Sequence, residues 1–510
     1  MNIRFTKISR LLLVLNLMFV FEMNGQSVSK STFLNPPQHY QPWVFWQWMN
    51  GNITKEGIRL DLEAMRRMGI TGALCFNNAL GIPRGPVDYA SAEWMEDTEY
   101  AVKEAKRLGI TIMLHNSPGY SGAGGPWIKP EMSMQQLVWT ETLAKNKKKI
   151  DVVLNRPYAK RGFYKDARVI AYPSLSVEKI LMKDAIQKLS MDGKTLDIKC
   201  LTDGNPETKI RIEPKQDESK ELILEFKEPF EARSISILRR PEVPKDLFDG
   251  PRDHPPLFEL KISDDGVTYK TVCSFAMNLL REMDTPGVAN FEAVKARFFK
   301  LVTKDPTWIS DIELHSAPRL AGWPGKINCT GGNSSGLTPQ MNADLTIHHS
   351  DIIDITSFMD ANGHLVWTAP QKSNWTILRI GHTTTGEENA AHPESGKGLE
   401  LDKLNPAALD VHFDQFLNKV AERLKPYGET FQGFTVDSWE AGKQSWTARF
   451  PEEFLRLKKY DITAWLPALT GRIIDDIEST DRFLWDVRQV HADLLNENFY
   501  ARFQEKCHQL

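Results

Sequence analysis

Three apolar runs near the N-terminus share one shape. WVFWQWMN at 43–50, GALCFNN at 72–78 and TIMLHNS at 111–117 each finish on polar residues, with Asn or His among them. An amphipathic helix follows the first run. Thr54 is a good N-cap, Ile58, Leu62, Met65 and Met68 recur at helical spacing, and Gly69 stops the pattern. A second helix follows the second run, with Trp94, Thr98, Ala101, Ala105 and Leu108 on one face and Gly109 at its end. Strand, helix, strand, helix, strand predicts βα units and a parallel sheet.

The period changes between about 185 and 318. LILEF (222–226), SISIL (234–238) and VKARFFKLV (294–302) read as strands, and LTDGNPET (201–208) and ISDDGVTYKTV (262–272) carry Asp and Gly at turns. No long amphipathic pattern interrupts them, so a β-sandwich inserted into the βα series is predicted. The βα pattern then resumes. WTILRIGHTTTG (375–386) is predicted as a fourth barrel strand. A helix carrying Leu409, Phe413, Phe416, Leu417, Val420 and Leu424 on one face follows it, and GFTVDSWEAG (433–442) is predicted as the fifth strand. The segment 481–510 is helical, with Val487, Leu494, Leu495, Phe499 and Phe503 apolar. The predicted class is α/β: a (β/α)8-type barrel, incomplete here, with the inserted sandwich. About five barrel strands are counted where eight are needed, so the chain is expected to stop short of the last strands. The boundaries are 27–184 for the first barrel part and its extension, 185–318 for the insert and 319–510 for the continuation.

The first 26 residues read as a signal peptide. Arg4, Lys7 and Arg10 precede LLLVLNLMFVF at 11–21, which is too short to span a membrane well. Export to a Gram-negative periplasm or the exterior is expected, with no membrane span after signal removal. The junction lacks a Cys, so a lipoprotein anchor is not expected.

Length and composition narrow the class. A chain of 510 residues exceeds one ordinary core, and 41% hydrophobic with 25% charged residues is globular and soluble. A net charge of -3 argues against a nucleic-acid partner. Fourteen Trp residues supply flat faces on which sugars stack, or core. The five Cys are widely spaced and form no metal-binding pattern.

In a barrel the chemistry sits at the C-terminal ends of the strands. Trp48 and Asn50 follow the first, Asn77 and Asn78 the second, His115 and Asn116 the third, His382 and Thr384 the fourth, Asp437 and Glu440 the fifth. Amides and imidazoles give directional bonds to hydroxyls, although Asn also forms turns and His115 also suits a core. SPGYSGAGGPW (117–127) lacks the phosphate-cradle pattern and reads as a substrate wall with Trp127 as platform. Two carboxylates delivered by one apolar strand are hard to justify by stability. A glycosidase needs one carboxyl group to protonate the leaving oxygen and a second as nucleophile or base. Trp439 and Ala441 give Glu440 an apolar setting that suits an acid. Asp437 is too close in sequence to be its opposite partner, and suits a sugar hydroxyl, a cation or orientation of the acid.

Several phrases resemble known families. SDDGVTYKTV followed by VKARFFKLV is similar to the discoidin-like, galactose-binding-type sandwiches, which bind sugars or act as spacers; the spacer role is favoured here. PWVFWQWMNGNITKEGI, LHNSPGYSGAGGPWIKPEMSMQQLVWTE, ILRIGHTTTG with GLELDKL, and DSWEAGKQSWT with EFLRLKKYDITAWLPALTG resemble glycoside hydrolase family 106, the α-L-rhamnosidases. The resemblance implies an inverting hydrolase that releases terminal L-rhamnose from plant oligo- or polysaccharides such as pectin. It implies Glu440 as general acid and a calcium ion in the active site. The family's general base is a Glu well downstream, expected beyond residue 510, so the 510-residue chain by itself is expected to be inactive. Where the family writes GLECDK this chain has Leu401 for Cys and keeps Glu400, Asp402 and Lys403. Glu400 and Asp437 are candidate calcium ligands, and Lys403 and Trp439 candidate sugar contacts. Two other readings stand: a sugar-binding protein without catalysis, and a glycosidase for another sugar.

Overall fold

The computed structural model describes residues 29–37, 40–214, 219–240, 257–276, 286–327, 341–440 and 442–510. The expected signal peptide lies outside the described residues.

The three N-terminal runs form strands β1 (Trp43–Met49), β2 (Gly72–Asn78) and β3 (Thr111–His115). Helices α1 (Lys55–Arg67) and α2 (Ala92–Leu108) alternate with them. Thr54 accepts from Gly57 N at 3.0 Å and Ser91 from Trp94 N at 3.1 Å, so both helices begin on side-chain caps. Each cap contributes about 1 kcal/mol. A third helical run, α3, covers 406–424 with a π-helical stretch at Phe413–Leu417, and Leu409, Phe413, Phe416, Leu417 and Val420 are buried as its periodicity predicts. It leads to β4 (Phe431–Thr435), and the four strands pair in parallel in the order β1-β2-β3-β4. One hydrophobic core joins this sheet to α1, α2 and α3.

The stretch WTILRIGHTTTG is not a barrel strand. It is the second half of a strand at His364–Thr384 that pairs antiparallel with Gln135–Val153 and Lys165–Pro173. The physical reason is burial. The first half alternates buried and exposed positions, but Trp375 to Thr384 are buried at every position. A strand covered on both faces reads as a continuous apolar run whichever sheet holds it. Among the described residues four parallel strands are therefore present where about five are expected, and the strand before Asp437 is the fourth.

Between Ile186 and His315 the chain forms antiparallel strands with a separate core. Two long strands, Lys220–Arg240 and Gly287–Thr303, run through it, and register shifts between Glu225 and Phe230 and between Ala232 and Ser234 bend them. The architecture is thus α/β with a β-sandwich. After β4, helices at Phe450–Lys458 and Ile477–Leu495 pack on the antiparallel sheet of Gln135–Val153 through a further core. No helix among the described residues is long and apolar enough to cross a membrane. Cys75, Cys200, Cys273 and Cys507 are free thiols.

Candidate active site at the strand ends

The register of the parallel sheet sorts the strand-end residues onto two faces. Trp48 is paired with Asn77, and Gln47 with Phe76. Cys75 pairs with Leu114, which puts Phe76 beside His115, and His115 pairs with Thr435. Successive side chains of a strand point to opposite sides. Gln47, Phe76, His115 and Thr435 therefore share one face, and Trp48, Asn77 and Asn116 the other.

The second face meets the helices. Trp48 is buried edge-on between Trp46 and Trp94. Asn77 Oδ1 accepts from Trp94 Nε1 of α2 at 2.8 Å. Asn116 is fully buried, and its amide donates to Gly122 O at 2.9 Å and Thr435 O at 3.0 Å. His412 of α3 completes the set. Trp127 Nε1 can only donate, so His412 Nδ1, 2.9 Å away, must accept. The ring proton is then on Nε2, which donates to Asn116 O at 3.0 Å and Oδ1 at 3.1 Å. Trp127 also stacks on Phe416 at 4.9 Å. Trp48, Asn116 and Trp127 thus hold sheet, loop and helix together, in place of the sugar contacts expected of them. Asn50 is likewise spent, donating to Ile82 O at 2.7 Å and accepting from Glu394 N at 3.0 Å.

The other face carries the open chemistry. His115 Nδ1 lies 2.5 Å from Ser117 O, a carbonyl that can only accept, so the ring proton is on Nδ1. Nε2 is left as a bare acceptor, buried and without a hydrogen-bond partner among the described residues. Burial holds His115 below its usual pKa, against the pull of Asp437 and Glu400, and keeps the ring neutral. Phe76 stacks on it at 4.6 Å. Asn78 donates to Gln47 and, at 3.2 Å, to Tyr120 Oη, while Asn78 Oδ1 and Thr435 Oγ1 are buried without a partner among the described residues. Burial first, then Asp437 and Glu440, raise the pKa of Tyr120, so its hydroxyl keeps a proton to donate beside those carboxylates. Asp437 acts electrostatically on both His115 and Tyr120, and Glu440 on Tyr120, so these groups share one end of the sheet. Tyr120 was overlooked in favour of Trp127. The signal was there, an aromatic ring with a polar tip between Gly119 and Ser121.

Glu440 differs from expectation in one respect. It is exposed, with Ser438 Oγ donating to Oε1 at 2.9 Å, and no apolar pocket encloses it. Trp439 turns away to lie over Lys403, whose Nζ is 4.5 Å from its ring centroid. Lys403 is itself buried and paired with Glu400, so it supports the carboxylate loop from below and does not face a sugar. Gly122 permits this pair. A Cβ there would lie 2.6 Å from Lys403 Cε and 3.2 Å from Glu400 Oε1.

The residues do not fit a calcium ion held by Glu400. Its Oε1 takes Lys403 Nζ and, at 3.0 Å, Ala123 N, and its Oε2 takes Asn389 Nδ2 at 3.3 Å. Both oxygens point at N–H donors and a cation already neutralises the charge. Asp437 supplies too few oxygens for calcium by itself.

Buried histidines make the fold acid-sensitive. Burial depresses His412 to about 3 and His382 and His491 to about 4, from 6.5. The unfolded chain binds their protons first. Their stabilisation is complete above pH 6.5 and is lost as pH falls toward 4 and 3. Asp402, raised to about 6 by burial, acts in the opposite sense between 3.8 and 6. Asp97, Asp311 and Glu313, also raised by burial, act with Asp402, while His115 and His315 are lowered like the other imidazoles; five imidazoles against four carboxyls should still lower the denaturant midpoint between pH 7 and pH 4. An unchanged or rising midpoint would show that these rings are not buried neutral.

The family match and the similarity to a solved rhamnosidase place the chain in the glycoside hydrolase class. It belongs to glycoside hydrolase family 106, described as alpha-L-rhamnosidase, whose model matches residues 34–510. A solved rhamnosidase from Novosphingobium sp. PP1Y is similar at 27% identity with a TM-score of 0.77, over 94% of this chain and 46% of that one. A Formosa agariphila protein named "Putative beta-glucuronidase" is 29% identical over 480 residues, 94% of this chain and 29% of that protein. The chain thus spans less than half the length of these relatives.

Proposed function

We propose that the chain is the acid-bearing part of an exported α-L-rhamnosidase that cleaves terminal L-rhamnose from plant glycans with inversion. The observation that carries the reading is the group of polar side chains at the ends of β2, β3 and β4. His115 Nε2 and Asn78 Oδ1 are buried acceptors, Tyr120 is a donor, and Asp437 and Glu440 are the acids beside them. Buried polar atoms without partners are costly, and sugar hydroxyls would satisfy them. Glu440 protonates the glycosidic oxygen. Asp437 holds a hydroxyl or orients the acid. The general base comes from chain outside these 510 residues, on the opposite side of the bond, because Asp437 shares a loop with Glu440. The same reading closes the sheet into a (β/α)8-type barrel. Phe45 on the open face of β1 is 65% exposed, as a barrel lining awaiting further strands would be.

The test is a panel of aryl glycosides of rhamnose, fucose, arabinose, galactose and glucuronic acid, with and without a calcium chelator, on the protein in its longest expressed form. Release from the α-L-rhamnoside, first as the inverted anomer, is expected. Preferential release from the β-glucuronide would reassign the sugar in favour of the activity in the Formosa relative's name. Retention of configuration would remove the inverting mechanism.

A further inference from the structure

A cavity lies away from the strand-end site, between the sandwich and the antiparallel sheet of Gln135–Val153. Its volume is about 620 Å³, within the range of small-molecule sites, and it shares none of that site's residues. Two arginines form its inner wall. Arg472 is 3% exposed, donates to Glu141 Oε2 at 2.5 Å and Thr470 Oγ1 at 2.9 Å, and keeps a buried Nε–H without a protein partner. Arg319 is equally buried, reaches His315 Nδ1 at 3.0 Å, donates to Ala317 O at 3.4 Å and lies 3.6 Å from Glu178. Trp323 also lines the cavity with an unpartnered indole N–H, and its ring meets Trp139 edge-on at 6.0 Å. The mouth is cationic as well, with Arg156 and Lys199 both exposed.

We propose that this cavity binds a carboxylate-bearing saccharide, a uronate unit of an acidic sugar chain. The walls present five cationic side chains against four carboxyl groups, and Glu178 behind them lies 3.6 Å from Arg319 and 3.8 Å from Arg472. Two of the wall carboxyls, Asp311 and Glu313, are held toward the neutral form by desolvation, Glu313 at about 7, which leaves the cations in excess. Guanidinium groups pair with a carboxylate in a fixed fork, and the indole pair offers an apolar edge to a pyranose ring. Inorganic anions would use the charges and leave the tryptophans and protonated carboxyls idle.

Calorimetric titration tests the assignment. The ligands are glucuronic and galacturonic acid and their disaccharides, glucose and galactose, and acetate, at pH 6.5. Uronates should bind, disaccharides more tightly than monosaccharides, with neutral sugars and acetate at least about tenfold weaker. The double variant Arg156→Ala/Lys199→Ala alters exposed positions only and should weaken uronate binding by about tenfold. Arg319→Met should abolish it, with circular dichroism reporting whether the fold survives. Glu440→Gln should leave it unchanged. No uronate binding, equal binding of acetate or neutral sugars, or an unaltered affinity in the double variant would overturn the proposal. Loss of binding in Glu440→Gln would move the uronate to the strand-end site and overturn it too. Failure here leaves the rhamnosidase reading untouched, since no residue is shared.

Discussion

Glu440→Gln in the active protein should lower turnover of an unactivated rhamnoside by roughly 10²–10⁴-fold, the usual contribution of a positioned general acid. The amide has the same shape and keeps the contact with Ser438 Oγ, but carries no proton to give. An aryl rhamnoside with an acidic phenol as leaving group needs little protonation, so its loss should be much smaller. This contrast is the signature of an acid. Equal losses on both substrates would instead make Glu440 a binding or structural residue, and near-normal rates on both would remove it from the site.

The second large effect falls on stability. Lys403→Met should destabilise the fold by about 3–5 kcal/mol, because it leaves the Glu400 carboxylate buried without its cation. The pair is almost completely dry, with side chains 1% and 0% exposed. Trp439 loses the charge beneath its ring at the same time, so the loop bearing Asp437 and Glu440 should loosen. Adding Glu400→Met to Lys403→Met should recover part of the stability by removing the stranded charge, though Ala123 N then lacks its acceptor. Activity should not recover with it. Denaturant titrations of the two variants measure this. If the single variant is as stable as the parent, the ion pair is not the support that the geometry makes it.

Much of this protein was legible in its chain. The βα units rest on caps and periodicity: Thr54, Gly69, Gly109 and the apolar positions of α1, α2 and α3 act within a few residues of one another, and local rules reach that far. The carboxylates after β4 stood out because charge at the end of an apolar strand has a large desolvation cost. The antiparallel sheet at His364–Thr384 was hidden for the opposite reason. Its second half is buried on both faces, and a strand covered on both faces carries no mark of its partners.

The site residues divide along the same line. Sequence by itself determined that β1, β2 and β3 end in polar groups and that Asp437 and Glu440 follow the last parallel strand. Only the tertiary structure decided which of those groups face the site. Trp48 and Asn116 are one residue from Gln47 and His115, and one residue turns a strand side chain to the other face. Register between distant strands sets that choice. The stretch GLELDK shows the same dependence: its Glu and Lys looked like ligands for a metal or a sugar, until the fold closed them over each other beneath Trp439. A charge in a sequence shows that something must neutralise it. Which group does so is fixed by long-range packing, which no local pattern records.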